Sequence, residues 1–240
     1  MTSSIIVPLR QQPEFDRYAH LAALQEVLAA GVTTPTALVV VEEKTPSPHR
    51  FNRGALLNIG FRLAPTSTSV LFHDVDLLPC QTLLPEYNRP TPAGTVRHLG
   101  MRWGRYASNP QYLGGVVGLH PRDFTGMNGF PSTFWGWGGE DDALAIRCQR
   151  GNLRIVRPNA GTYTDQEGLP LQAKLSLLRI TDAKCRDKWE QLDAERRGQP
   201  RAGLAEVAFT VEKTQKRKLS PVLTVHHHMI KIRSASGGAG

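Results

Sequence analysis

The hydrophobic and polar positions in the first third of the chain alternate between two periods. Short apolar runs at 3–10, 36–43 and 69–79 are rich in Val, Ile and Leu, which predicts strands. Between them, residues 13–30 place apolar side chains at helical spacing, and residues 51–64 do so despite two glycines. Strands that alternate with helices predict an α/β fold with a central, mostly parallel mixed sheet flanked by helices. Sheets of this kind bind ligands at the carboxyl ends of their strands.

Beyond residue 90 the pattern is less regular and predicts shorter elements. In chain order we expect a long loop with one or two short strands (90–115), a strand and a short helical turn (116–130), an acid-led helix that ends at Gly151 (140–150), a helix (173–195) and a strand (222–232). We find no internal repeat and no domain boundary. Residues 1–232 are therefore expected to form one domain, and residues 233–240 to form a disordered tail.

The composition is that of a globular protein, because 40% of the 240 residues are hydrophobic and 21% are charged. No apolar run approaches the about 18–20 residues of a membrane span, and the first residues lack the pattern of a secretion signal. We expect a cytoplasmic protein of bacterial type, or a soluble fragment of an anchored protein. Three widely separated cysteines fit no metal-binding spacing and predict reduced thiols.

The net charge of +8 indicates an anionic partner, and nucleic acid, an acidic membrane and phosphorylated small molecules are all compatible with it. Basic residues concentrate late in the chain, at 195–201 and 212–219. Because we find no nucleic-acid-binding motif, we interpret both runs as solvated loops rather than as a nucleic-acid surface.

Asp74 and Asp76 stand one residue apart at the end of a predicted strand. On an extended backbone their side chains point to the same side, and two such carboxylates can hold a hard divalent cation such as Mn²⁺ or Mg²⁺. A cation held there can stabilise a departing diphosphate. An ordinary acidic turn after a strand is the alternative interpretation, because the Asp-x-Asp pattern is short.

The sequence Trp-Gly-Trp-Gly-Gly-Glu-Asp-Asp at 135–142 combines rigid rings, flexible glycines and dense negative charge. Its acids suit the first turn of a helix, where free N–H groups and the helix dipole stabilise negative charge. That preference does not explain the residues before them. Glycines allow the backbone to approach a ligand closely, tryptophan faces can cover a sugar ring, and an ionised carboxylate can take a proton from a hydroxyl group.

Arginines follow two early turns, in Pro-Leu-Arg at 8–10 and in Phe-Asn-Arg at 51–53. An aromatic ring and a guanidinium group in such positions suit a nucleobase and a phosphate. A core phenylalanine and a surface arginine are the alternative interpretation.

Five segments together resemble the β-1,4-galactosyltransferase family. Over roughly residues 4–160 the chain contains, in the family's order and approximate spacing, IIVPLR, FNRGALLNIGF, FHDVDLLP, GGVVGL and NGFPSTFWGWGGEDD. The last segment is long and specific. The resemblance implies a GT-A type nucleotide-sugar-binding fold, a UDP-sugar donor, and Mn²⁺-dependent transfer with inversion at the anomeric carbon.

The resemblance also implies roles for individual residues. Contacts with the nucleotide or its sugar are implied for Pro8, Leu9, Arg10, Phe51, Arg53, Asp74, Val75, Tyr112, Trp137, Gly138 and Gly139. Tyr112 corresponds to the position that favours galactose over N-acetylated donors, and Asp76 to a direct metal ligand. Asp141 corresponds to the base that deprotonates the acceptor hydroxyl. Contacts with the acceptor side are implied for Glu140, Asp142 and Trp137.

Two features depart from the family pattern. The family usually supplies a histidine metal ligand soon after the segment that matches 157–159, yet residues 160–170 contain no histidine. Asp165 or Glu167 can substitute, because carboxylate oxygen suits Mn²⁺, and we favour Asp165. The alternatives are a weaker metal site, or a metal held by Asp76 and the diphosphate alone. Arg10 is followed by two glutamines where the family often has a second arginine, which predicts fewer phosphate contacts.

The histidines of the chain cluster at 226–228, inside the last predicted strand. Alternation places His226 and His228 on one face and His227 on the other. We favour a partly exposed strand over a metal site at this position.

The implied function is transfer of galactose from UDP-galactose to a hydroxyl group of an acceptor glycan, forming a β-linkage, with a role in bacterial surface polysaccharide synthesis as one setting. An enzyme of the same fold that uses UDP-GalNAc, UDP-GlcNAc or UDP-xylose is the first alternative. A sugar-nucleotide-binding protein without catalysis is the second. The presence of both Asp76 and Asp141 argues against the second alternative, because binding alone needs no base.

Overall fold

The structure is a computed structural model that describes residues 2–44, 50–106 and 109–233. Within these ranges the strands are β1 (Ser3–Leu9), β2 (Thr36–Glu43), β3 (Ser69–His73), β4 (Leu77–Pro79), β5 (Thr95–His98), β6 (Val116–Leu119), β7 (Arg154–Val156), β8 (Tyr163–Asp165), β9 (Phe209–Lys218) and β10 (Leu223–Ile232). The helices are α1 (Arg17–Gly31), α2 (Arg53–Leu63), α3 (Leu84–Tyr87), α4 (Pro121–Gly126), α5 (Glu140–Arg150), α6 (Leu171–Ile180) and α7 (Lys188–Arg196). Across the same ranges, no helix has the length and apolar character needed to cross a bilayer.

Eight strands form one mixed sheet in the order β7-β5-β6-β3-β1-β2-β10-β9. The central strands β3, β1, β2 and β10 are parallel to one another. Strands β6 and β9 run antiparallel to their neighbours β3 and β10. The predicted α/β fold with a mostly parallel sheet is therefore confirmed, with antiparallel strands added toward both edges. Strands β4 and β8 pair separately as a two-stranded sheet.

Hydrophobic layers cover both faces of the central sheet. Val39 and Val41 of β2 pack with α2 in one layer, whereas Leu38 and Val40 pack with α1 in the other. All residues of β2 are buried. This burial explains why the strand has a continuous apolar sequence rather than an alternating one.

Side-chain caps determine where the first two helices begin. Asp16 accepts hydrogen bonds from the backbone N–H groups of Tyr18 and Ala19, and Asn52 accepts one from Ala55. Because a cap residue lies just outside its helix, α1 and α2 begin a few residues later than the hydrophobic pattern predicts.

Gly60 allows α2 to lie directly against the sheet. A Cβ atom at this position would lie 2.3 Å from Ile6 Cγ2 and 2.9 Å from Val41 Cγ2. These distances are too short for real contacts, so a side chain here would push the helix away from β1 and β2.

Gly60→Ala is therefore expected to lower the free energy of unfolding by about 1–3 kcal/mol through overpacking, despite the higher helix propensity of alanine. Urea denaturation monitored by circular dichroism measures the change. Gly126→Ala is the matched control, because a Cβ atom at Gly126 would meet no atom within 4 Å. Equal stability of the two variants would contradict this account of the packing.

The single strand predicted at 69–79 is two strands. β3 ends at His73, the next three residues form a turn, and β4 then pairs with β8 instead of joining the main sheet. The prediction that Asp74 and Asp76 share one side of an extended backbone is therefore wrong. The turn directs Asp74 toward Arg53 and Asp76 toward Arg17.

The single helix predicted at 173–195 is also two helices. Asp182 adopts a left-handed backbone conformation with φ of 49°, and the Ala183 N–H group donates to Leu178 O, which closes the end of α6. The hydrophobic spacing resumes in α7, so the pattern alone does not show the interruption.

Residues 212–219, predicted to form a solvated loop, lie mostly in the edge strand β9. Every residue of β9 after Phe209 is exposed, so this strand has no alternation of buried and exposed positions that a sequence pattern could show. Basic side chains on an exposed edge oppose pairing with other chains. Of the predicted tail at 233–240, residues 234–240 lie outside the described ranges, whereas Arg233 donates a backbone hydrogen bond to Ala208.

Candidate active site

A cleft of about 1090 Å³ opens where β1, β2 and β3 end and where α2 and α5 begin. This is the edge at which α/β sheets bind ligands. The predicted site residues that line the cleft are Pro8, Arg10, Phe51, Arg53, Asp74, Val75, Asp76, Tyr112, Trp137, Gly138, Gly139, Glu140, Asp141 and Asp142. The structure thus brings together residues from four of the five sequence segments, with Tyr112 from just before the remaining one.

Leu9 is placed elsewhere. Its side chain is fully buried in the hydrophobic layer that contains Ile5 and Val7. Because alternate residues of a strand share a face, Leu9 belongs to this layer, and its side chain does not line the cleft as expected for a donor contact.

Arg10 and Phe51 form the wall of the cleft nearest β1. The Arg10 guanidinium carbon lies 5.2 Å from the centre of the Phe51 ring, and Arg10 Nη1 lies 3.5 Å from Glu43 Oε2. A cation on one face of the ring leaves a flat aromatic surface beside a positive charge. This combination suits a nucleobase attached to a phosphate.

The glycines before α5 have backbone conformations that other residues rarely adopt. Gly136, Gly138 and Gly139 have φ values of 109°, 97° and 108°. A Cβ atom at Gly139 would also lie 2.4 Å from the Phe134 ring. The segment is fixed on one side by the Trp137 N–H group, which donates to Ala183 O at 2.8 Å. Its glycines are therefore explained by backbone geometry and packing, and their close approach to a ligand stays a prediction.

Arg53 joins the acids of two different segments. Its Nε atom lies 2.6 Å from Asp74 Oδ1, and its Nη1 atom lies 2.8 Å from Asp141 Oδ1 and 3.6 Å from Glu140 Oε1. The Asn52 cap places Arg53 in the first turn of α2, where it faces the first turn of α5. The partly buried guanidinium group therefore holds the Asp141 carboxylate in one orientation.

Asp141 lines the cleft and lies against Gly114, which has no side chain. A Cβ atom at Gly114 would lie 2.0 Å from Asp141 Oδ2. Burial raises the pKa of Asp141 well above its ordinary value, opposed by Arg53 and reinforced by the neighbouring acids Glu140 and Asp74. A raised pKa makes the carboxylate a stronger base.

The two acids beside Asp141 have different surroundings. Glu140 is buried, and its Oε2 atom has no hydrogen-bond partner among the described residues, so it can accept a hydrogen bond from a ligand hydroxyl. Asp142 is half exposed, and its Oδ2 atom lies 2.9 Å from Lys188 Nζ.

Tyr112 belongs to an aromatic wall beside Gly114 and Gly115. Its ring stacks on Tyr106, with 4.3 Å between ring centres and 24° between planes, and it meets the Trp103 ring edge-on at 6.3 Å. A Cβ atom at Gly115 would lie 3.3 Å from the Tyr112 hydroxyl. Tyr112 therefore limits the space next to Asp141.

Three carboxylates meet beside the cleft, and two of them, Asp76 and Glu167, line it. The pairing of β4 with β8 brings Asp165 opposite Leu77, next to Asp76, and ligand oxygens of Asp76, Asp165 and Glu167 lie within 4.8 Å of one another. Burial raises the pKa of Asp76 to about 7. Asp165 and Glu167, the two candidates to replace the histidine ligand, thus both lie beside Asp76. A set of ligands that are all oxygen atoms fits Mn²⁺ or Mg²⁺.

Three basic side chains that sequence reasoning missed surround these carboxylates. Arg17 comes from α1, Arg105 from the loop after β5, and Lys174 from α6. Gln12, one of the two glutamines after Arg10, accepts a hydrogen bond from Arg17 Nη2 at 2.9 Å. A second arginine therefore reaches the cleft from a later position in the chain, and the expectation of fewer phosphate contacts stays a prediction.

The histidine run lies on β10 as predicted, outside this cleft. His227 Nε2 lies 2.7 Å from Glu42 Oε2, while the rings of His226 and His228 stack on the other face with 6.5 Å between centres. Across the described ranges, no group of three close metal-ligand side chains includes these histidines. The three cysteines are free thiols, as predicted.

Comparison with known proteins agrees with this geometry. A family model for the N-terminal domain of galactosyltransferase matches residues 96–167. Human β-1,4-galactosyltransferase 3 is 42% identical over 116 residues, which are 45% of this chain and 28% of that protein. β-1,4-Galactosyltransferase 5 of Danio rerio is 33% identical over 165 residues, which are 65% of this chain and 40% of that protein. The chain thus spans less than half the length of these curated relatives.

Solved structures show the same fold over nearly the whole chain. The catalytic domain of Drosophila β-1,4-galactosyltransferase 7 in complex with xylobiose has a TM-score of 0.73 and 24% identity, and the match covers 97% of this chain and 94% of that one. Glucosyl-3-phosphoglycerate synthase of Mycobacterium tuberculosis has a TM-score of 0.56 and 18% identity, with 95% and 86% coverage. The chain therefore has the GT-A type fold that these structures share. Residues 96–167 match the galactosyltransferase family model, and parts of the chain are similar to curated β-1,4-galactosyltransferases.

Proposed function

We propose that this chain transfers galactose from UDP-galactose to a hydroxyl group of an acceptor glycan, with inversion and in a metal-dependent reaction. The observation that best supports the proposal is that two separate sets of acidic side chains meet at one cleft. Asp141 lies partly buried against Arg53 and Gly114, while Asp76, Asp165 and Glu167 form a separate cluster with oxygens within 4.8 Å of one another. The first can act as a base, and the second can hold a cation beside a diphosphate.

On the donor side, Phe51 and Arg10 offer a ring and a positive charge to the uridine and its phosphates. A Drosophila relative of the same fold was crystallised with manganese, UDP-Gal and xylobiose. In the present chain Asp76 and Asp165, with Glu167 beside them, would hold the metal. A bound cation there would supply positive charge that stabilises the departing diphosphate.

On the acceptor side, Asp141 removes the proton from the attacking hydroxyl group as its oxygen bonds to the anomeric carbon. The bond from that carbon to UDP breaks on the opposite face, so an α-linked donor gives a β-linked product. Arg53 orients Asp141 during this step, and Glu140 Oε2, which lacks a partner among the described residues, accepts a hydrogen bond from the acceptor. Trp137, 36% exposed at the rim, offers an aromatic face to a sugar ring.

The direct experiment measures UDP release from UDP-galactose, UDP-GalNAc, UDP-GlcNAc and UDP-xylose, with Mn²⁺ and with a chelator. We expect turnover that depends on Mn²⁺ and is fastest with UDP-galactose. Faster turnover of another donor would show that galactose is the wrong donor sugar. UDP binding without turnover of any donor would favour a sugar-nucleotide-binding protein without catalysis.

Tyr112→Ala is expected to relax donor choice. Removing the phenol ring opens the space between Tyr106 and Gly115, where an N-acetyl group at the neighbouring sugar position would otherwise clash. We expect the ratio of kcat/KM for UDP-GalNAc to that for UDP-galactose to rise about 10–200-fold, the range typical of steric pocket changes. An unchanged ratio would show that Tyr112 does not determine which donor sugar is used.

A further inference from the structure

The carboxylate cluster is fully paired with basic side chains. Arg17 Nη1 lies 3.2 Å from Asp76 Oδ2, and Arg17 Nη2 lies 2.5 Å from Glu167 Oε1. Arg105 Nη2 lies 2.5 Å from Asp165 Oδ2, and Lys174 Nζ lies 2.6 Å from Glu167 Oε1. Three negative charges are thus balanced by three positive charges, and these side chains are largely buried.

This balance changes when a divalent cation enters. If Asp76 and Asp165 ligate the cation, their two negative charges are neutralised by it, and Arg17 and Arg105 lose these partners. Glu167 is then the one carboxylate of the cluster left to pair with Arg17, Arg105 and Lys174. Buried positive charges in excess of their carboxylate partners are costly. A donor diphosphate has two negative charges, and guanidinium groups bind phosphate oxygens in pairs of hydrogen bonds.

We propose that Arg17 and Arg105 are exchangeable counter-ions. They pair with Asp76 and Asp165 in the free protein, and they bind the donor diphosphate once those carboxylates hold the metal. Metal and nucleotide binding are consequently coupled, each tightening the other. This inference rests on the proposed function for the identity of the nucleotide and the metal.

Lys174 has a different role in this arrangement. It stays with Glu167, whose Oε1 atom lies 2.6 Å from Lys174 Nζ. The pair keeps one carboxylate neutralised while the other two bind the cation. The Phe15 ring, whose centre lies 5.1 Å from Lys174 Nζ, covers the ammonium group.

The test measures Mn²⁺ binding alone, and UDP binding at saturating Mn²⁺, by isothermal titration calorimetry. Arg17→Gln is expected to bind Mn²⁺ alone about tenfold more tightly than the wild type, because a like charge beside the ligands is removed. The same variant is expected to bind UDP about tenfold more weakly in the presence of Mn²⁺. Arg17→Lys retains the charge and is expected to keep Mn²⁺ affinity near the wild-type value.

Arg196→Gln is the matched control. Arg196 pairs with Asp193 on the exposed side of α7, outside the set of residues that line the cleft, so the variant makes the same change in net charge away from the cluster. Both measured affinities are expected to stay within about twofold of the wild type, because the charge is exposed and screened.

Mn²⁺ affinity that falls or stays constant in Arg17→Gln would overturn the inference, as would UDP affinity equal to that of the wild type. Thermal unfolding shows whether each variant is folded. If Arg17→Gln does not fold, the same changes in Mn²⁺ and UDP affinity are measured on Arg105→Gln instead. The proposed function is tested separately by sugar transfer. Coupled binding of Mn²⁺ and UDP without transfer would refute only the function, whereas transfer by a wild type that lacks this coupling would refute only the inference.

Discussion

Asp141→Asn is expected to lower kcat for galactose transfer by about 10²–10⁴, the usual contribution of a general base. Asparagine has nearly the same shape and can still accept a hydrogen bond from Arg53, but it cannot take a proton from the acceptor. UDP affinity is expected to change little, because Arg53 keeps its contact with Asp74. Steady-state kinetics and UDP titration measure the two quantities on the same preparation.

Asp193→Asn is the control for this change. Asp193 is exposed on α7, where it pairs with Arg196, and its loss is expected to leave kcat unchanged. If Asp141→Asn retained wild-type kcat, another group would have to be the base, and the assignment of Asp141 would be wrong.

Asp76→Asn is expected to weaken Mn²⁺ binding and to lower transfer by more than about 100-fold, since changes beside metal ligands alone typically cost 10–100-fold. Asp165→Asn is expected to have a smaller effect, because Asp76, to which the family resemblance assigns direct metal binding, is retained. Mn²⁺ titration and transfer assays over a range of metal concentrations measure both effects.

Glu190→Gln is the control for the metal variants, because Glu190 pairs with Arg201 on the exposed side of α7. Wild-type transfer by Asp76→Asn at low Mn²⁺ concentration would contradict the placement of the metal. Full activity of the wild type in chelator would contradict metal dependence itself.

Much of the fold could be predicted because buried strands have a distinctive sequence. β2 is covered on both faces, so its apolar run matches the observed strand from residue 36 to residue 43. The edge strand β9 could not be recognised, since its exposed side chains give no alternation. The break between α6 and α7 also leaves no trace in the hydrophobic spacing, because a single left-handed residue, Asp182, makes it.

The site was predictable where its residues are close in sequence. The segment 135–142 places its acids at the start of α5 and its glycines in the positive-φ positions that require them. The basic groups around the carboxylate cluster come from separate elements, so no local pattern unites Arg17 with Lys174. The choice between Asp165 and Glu167 likewise needed the pairing of β4 with β8.

The most direct test of the central claim is mass spectrometry and proton NMR of the product formed from UDP-galactose, Mn²⁺ and a panel of glycan acceptors. The account predicts an acceptor that gains one hexose, with a β-configured anomeric centre. An α-linked product, or no product on any acceptor from a protein that binds UDP and Mn²⁺, would contradict it.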